Sequence, residues 1–94
     1  MGYGALGLVE VLGSANAIVV VDQMLKASEV SFETWNTKCG GHTTVFLHGD
    51  VSSVKAAVES VEFNPPCEII ACAVISAPSE ETIRVMQETG KKFA

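Results

Sequence analysis

The run Ala5-Leu6-Gly7-Leu8-Val9-Glu10-Val11 passes through Gly13-Ser14-Ala15-Asn16 into Asp22-Gln23-Met24-Leu25-Lys26-Ala27, and its reading decides the fold. Ala5 to Val11 is nearly all apolar, the pattern of a strand covered on both faces. Gly13 with Ser14 then supplies a turn and a candidate N-cap. Ile18-Val19-Val20-Val21 is β-branched and scores as strand, yet Ala17, Val20, Val21, Met24 and Leu25 fall on one helical face. The spacing therefore predicts a helix to about Lys26.

Further along, Val30 to Thr37 carries strand residues, Cys39-Gly40-Gly41 interrupts them, and Thr43 to His48 reads as a partner strand ended by Gly49. Asp50 can cap a second helix, in which Val51, Val54, Ala57, Val58 and Val61 recur at helical spacing until Asn64-Pro65-Pro66 stops it. A last strand is expected from Glu68 to Ser76. There Ile70, Cys72 and Val74 alternate with Ile69, Ala71, Ala73 and Ile75, so both faces are apolar and must be covered by a helix layer or a neighbouring subunit. Pro78-Ser79-Glu80-Glu81 opens a short final helix bearing Ile83, Val85 and Met86, and Glu88 to Ala94 reads as a polar tail. The order βαββαβ plus a terminal helix gives an α+β sandwich of ferredoxin-like type, one domain over residues 1–94.

A chain of 94 residues supports one core with little stability to spare, so oligomerisation would help it. With 48% apolar and only 18% charged residues, it has more apolar surface than a lone domain of this size needs, and part of that surface is expected to be interface. A net charge of −5 with six Lys and Arg argues against nucleic acid and against anionic membrane as partners. No apolar run reaches the roughly eighteen residues of a spanning helix, and no signal-like segment opens the chain, so a cytoplasmic protein is expected. The three cysteines are odd in number and dispersed, which fits reduced thiols, each of them a ligand or a core residue.

Four segments in order resemble the BMC-domain family of bacterial microcompartment shell proteins: the first strand, the Met24-Leu25-Lys26-Ala27 helix end, the hairpin closing on His48-Gly49-Asp50, and the Val51 to Val61 helix. The resemblance implies a flat cyclic homohexamer that tiles with other shell proteins around encapsulated enzymes, with a pore for metabolites on the six-fold axis. It also implies that the hairpin tip, Thr37-Lys38-Cys39-Gly40-Gly41-His42, lines that pore and that Lys26 lies along the hexamer edge. Two segments depart from the family. Ser76-Ala77-Pro78-Ser79 stands where a Pro-Arg-Pro-His-like run supplies an edge arginine, and Cys39-Gly40-Gly41 replaces the common Gly-Ser-Gly.

Six-fold symmetry would gather one Cys39 per chain into a ring of thiols, and this loop looks like that of the shell proteins that hold an iron–sulfur cluster in the pore. Soft thiolates suit such a cluster, a [4Fe-4S] cube being favoured. It takes four thiolates, or three with an open iron, so the symmetry would break locally, and Gly40 and Gly41 give the loop that freedom. Electron transfer across the shell would be its use. The other reading is a small, weakly polar pore without a cluster. Lys38 would lower the thiol pKa and neighbouring thiolates would raise it. His42 either lines the pore mouth or is a solvated edge residue; Cys67, Cys72 and Trp35 read as packing.

No P-loop, nucleophile elbow or paired acid–base motif is present, so an enzyme is not expected. The alternative class is a small-molecule-binding regulatory module of ACT-like or PII-like type, since fold alone does not assign function. A soluble electron carrier would need thiols clustered within one chain, and positions 39, 67 and 72 show no ferredoxin spacing.

Overall fold

The computed structural model describes residues 4–93, and the side chains of all of these except 39 and 89–93. In chain order the elements are β1 (Ala5–Leu12), α1 (Ser14–Ala27), β2 (Ser31–Thr37), a short 3-10 turn (Cys39–Gly41), β3 (His42–Gly49), α2 (Val51–Phe63), β4 (Ala71–Ser76) and α3 (Glu80–Phe93). The strands form one sheet in the order β2-β3-β1-β4, and every pairing is antiparallel. This is the ferredoxin-like arrangement expected, with the extra C-terminal helix.

Because side chains alternate along a strand, the sheet has two distinct faces. Ala5, Val9 and Val11 of β1 with Val45 and Leu47 of β3 face the paired helices, where Ala17, Val20 and Met24 of α1 and Val54, Ala57, Val58 and Val61 of α2 complete the main core. Gly7 lies on that face as well: a Cβ there would come within 2.9 Å of Val54 Cγ1, so the missing side chain lets α2 press close to β1. Leu6 and Phe46 turn the other way and are sealed by Met86 of α3, with Leu8, Ile75 and Ile83 packed around them. Both faces of β4 are thus used, Cys72 and Val74 against the main core and Ile75 beneath α3.

The β-branched run does fold as helix, because Ala17, Val20 and Met24 are buried together and tertiary burial outweighs the weak local preference for strand. Leu25 is a correction to the expected apolar face, since it is exposed while Val21 is only half covered. Ser14 is also corrected as the cap. Gly13 occupies the N-cap position and no side chain caps the helix; Asn16 instead donates to the Leu12 carbonyl at 2.8 Å. Asp50 behaves as expected, accepting the Ser53 N–H at 2.9 Å.

Two boundaries move. β4 begins at Ala71 rather than Glu68, because the chain leaving Pro65-Pro66 joins β1 only where Ala71 meets Glu10, just after Ile70 N–H donates to the Glu10 carbonyl at 2.9 Å. The segment read as a polar tail from Glu88 is helical to Phe93, a continuation of α3, whose Ile83 and Met86 pin its first half to the sheet. A run of charged residues that contains good helix formers extends a helix already nucleated by packing.

Candidate functional site

The residues assigned to the pore form one closed turn between β2 and β3. Lys38 N–H donates to the His42 carbonyl at 2.8 Å, and Gly41 N–H donates to the Lys38 carbonyl at 3.0 Å. Gly40 and Gly41 take φ of 87° and 82°, left-handed conformations that a side chain disfavours. The Gly41 carbonyl then accepts from Gly13 N–H at 2.8 Å and from Thr43 Oγ1 at 3.2 Å, so the turn is fastened to the start of α1 and to the base of β3. Lys38 and Gly40 are exposed. The backbone of Cys39 belongs to this turn, and its side chain lies outside the described residues.

Lys26 is not part of that cluster. It lies in the last turn of α1, whereas the Gly13 contact is at the start of the helix, and 14 residues at a rise of about 1.5 Å separate the ends by roughly 20 Å. Its ammonium pairs with Asp22 at 2.9 Å one turn back, and both are largely exposed. Such a pair contributes little stability, so the position is open to outside contact. Ser76-Ala77-Pro78-Ser79 does local work: Ala77 N–H donates to the Gly4 carbonyl at 2.8 Å, and Ser79 Oγ caps α3 by accepting from Thr82 N–H at 3.1 Å. Arg84, the chain's single arginine, pairs with Glu81 and Glu88 along α3.

Sequence reading missed the partner of His42. Its Nδ1 lies 2.8 Å from Glu10 Oε2, joining β3 to β1 directly after the turn. Register explains the contact: Leu12 opposes His42 and Glu10 opposes Thr44, so both side chains project from the face away from α1 and α2. His48 Nδ1 and Glu33 Oε1 form a second such pair at 2.7 Å, aided by the irregularity between Phe32 and Thr34 in β2. Neither pair could be read locally, because the residues are far apart in the chain.

The remaining candidates are packing residues, as expected. Cys67 and Cys72 are partly buried against the main core. Burial and the neighbouring Glu62 carboxylate push the Cys72 thiol pKa up, away from the reactive thiolate form. Trp35 packs on the core and meets Phe32 edge-on with ring centroids 6.2 Å apart. Among the described residues no three His, Cys, Asp or Glu side chains gather as a metal-binding group. Among the same residues no helix is long and apolar enough to cross a membrane.

An antiparallel β2-β3-β1-β4 sheet with two helices on one face, a third on the other and an exposed double-glycine turn is a ferredoxin-like α+β domain. The chain belongs to the BMC domain family, whose model matches residues 5–78. It is 34% identical over 90 residues to the carboxysome shell protein CsoS1A of Hydrogenovibrio crunogenus, covering 89% of this chain and 92% of the relative. It is 32% identical over 93 residues to the probable carboxysome shell protein CsoS1E of Prochlorococcus marinus, covering 94% of this chain and 45% of that protein. A solved microcompartment protein from Desulfitobacterium hafniense superposes with a TM-score of 0.75 at 25% identity, covering 90% of this chain and 47% of the other. The chain thus spans about half the length of these last two and nearly all of the first.

Proposed function

We propose that this protein is a structural tile of a bacterial microcompartment shell, a cyclic hexamer whose pore is lined by Lys38, Cys39, Gly40, Gly41 and His42. Family membership and the 34% identity to a carboxysome shell protein support the tile. The observation that carries the pore is the closed turn itself, with exposed residues held by the Gly13 to Gly41 hydrogen bond and presented to whatever lies beyond the β2–β3 end of the sheet. Lys26, exposed at the far end of α1, is the tile's edge residue, meeting neighbouring shell proteins. The regulatory-module alternative has no comparable support, because the family match extends across α1, α2 and all four strands.

Within this reading Cys39 is a ligand of an iron–sulfur cluster shared between copies. One chain offers one thiol at the turn, so the donor set comes from several subunits, and the left-handed Gly40 and Gly41 let the loop differ from copy to copy. The chemistry of the donor fits, since thiolates are the usual ligands of such clusters, three or four per [4Fe-4S] cube. When bound, the cluster would supply one-electron transfer through the shell. The chain's own residues would hold it on the axis and keep the turn closed through Lys38 and His42 backbone bonding.

The test is anaerobic purification of the parent and of Cys39→Ser, with iron analysis and a visible absorption spectrum. Brown protein carrying iron, and a colourless variant of unchanged assembly size, is the expected result. A colourless parent without iron would overturn the cluster and leave a plain metabolite pore.

A further inference from the structure

α1 carries two apolar stripes. Ala17, Val20 and Met24 are buried in the core, and beside them Ile18, Val21 and Leu25 recur at i, i+3 and i+7 spacing. Ile18 is 57% exposed, and Leu25 and Phe32 are 42% exposed each. Between α1 and β2 lies a hollow of about 460 Å³, lined by Ile18, Val21, Phe32, Glu33, Thr34 and Trp35. We infer that this hollow receives a second copy of the chain, and that its occupant is the β4 edge of that copy.

β2 and β4 are the two edges of the sheet, and they are guarded differently. An open edge strand is a template for further pairing, which lone domains blunt with charge, bulges or proline. β2 has Glu33 and a register irregularity between Phe32 and Thr34. β4 has neither. It pairs with β1 in unbroken register from Ala71 to Ser76, and the run from Ile69 to Ser79 holds no charged residue. Ala71 and Ala73 are exposed on β4, and Ile70 just before it is 40% exposed. A bare edge of small residues admits close approach by another chain, and the apolar hollow on the opposite edge offers the surface to approach.

The ring reading decides which surfaces meet, and the inference rests on it. With the Cys39–Gly41 turn toward the axis and Lys26 at the rim, α1 runs outward, and the β2 and β4 edges become the two sides of each tile. A closed ring joins unlike surfaces head to tail. Rotation about the axis leaves each residue's distance from it unchanged, so the surfaces that meet lie at like distance. Strand register measures that distance. Through β3 and β1, Phe32 shares a rung with Val74, Thr34 with Ala73 and Trp35 with Cys72. The rungs that line the hollow are therefore the rungs of the middle of β4.

The experiment is cross-linking of Thr34→Cys/Ala73→Cys in a Cys39→Ser background with a short bismaleimide, beside native mass spectrometry of the same sample. The double variant should give a covalent ladder reaching six chains. Each single variant should give nothing beyond the Cys39→Ser parent, because like residues do not meet in a head-to-tail ring. A single variant that cross-links into a dimer would reveal a two-fold contact and overturn the assignment. A six-chain mass without the ladder would overturn this contact and leave the ring, whereas a monomer would remove both.

Ile18→Lys and Val19→Lys form the second arm. Both positions are exposed on α1, at 57% and 47%, so the core needs neither, but of the two it is Ile18 that lines the hollow. Ile18→Lys should lose the six-chain species at micromolar concentration while keeping its far-ultraviolet circular dichroism, and Val19→Lys should retain that species. Retention in Ile18→Lys, or loss in both, would overturn the hollow as the contact.

Discussion

Gly13 N–H donates to the Gly41 carbonyl across 2.8 Å, and this one bond fastens the β2–β3 turn to the start of α1. Gly41 is held at φ 82°, and a Cβ there would meet Leu12 Cδ1 at an ordinary 3.7 Å. The cost of a side chain is therefore conformational and not steric. Gly41→Ala is expected to lower stability by about 1–2 kcal/mol in urea unfolding, the cost of a left-handed L-residue.

Glu10 and His42 join the same turn to β1 from the opposite face. The carboxylate is 30% and the imidazole 45% exposed, so solvent screens the pair. A double-mutant cycle of Glu10→Gln and His42→Ala, read from urea midpoints, should return a coupling of no more than about 1 kcal/mol.

Gly7 is a packing position in the middle of β1. A methyl there would lie 2.9 Å from Val54 Cγ1 and 3.1 Å from Val58 Cγ2, both on the inward face of α2. Gly7→Ala should destabilise by about 1–3 kcal/mol, the usual cost of overpacking a filled core. Gly13→Ala, with nothing within 4 Å of its Cβ, should escape that steric cost and carry instead the conformational cost of a side chain at φ 93°.

Asp50 gives the fold a pH signature. Hydrogen bonds from the Ser53 backbone N–H, then from Ser52 and Ser53 side chains, hold its carboxyl below the ordinary 3.8. The unfolded chain takes up the proton first, so the stabilisation is complete above 3.8 and fades as pH falls through the lower folded value. Asp50→Ala should be less stable than the parent near neutral pH, with the gap closing on acidification below 3.8, measured by thermal unfolding across pH.

Much of the fold could be read from local pattern. Ala17, Val20 and Met24 share a helical face strongly enough to override the β-branched residues between them, and Asp50 marked its helix correctly. The turn at Cys39-Gly40-Gly41 was equally plain, because paired glycines interrupt two strand runs. What escaped depends on register across the chain. Glu10 meets His42, and Asn36, Thr44 and Glu10 align, only because β1 pairs with β3 and β3 with β2 in one particular alignment. The length of α3 was hidden for another reason: the run from Glu88 lacks apolar spacing, and its helix follows from packing upstream at Ile83 and Met86.

The central claim is a six-membered ring, and native mass spectrometry of the untagged protein tests it most directly. A single species at six times the 9.9 kDa chain mass, retained in Cys39→Ser, is the expected result. A monomer or dimer across the micromolar range would contradict it, because no pore could then be closed by the turn from Lys38 to His42.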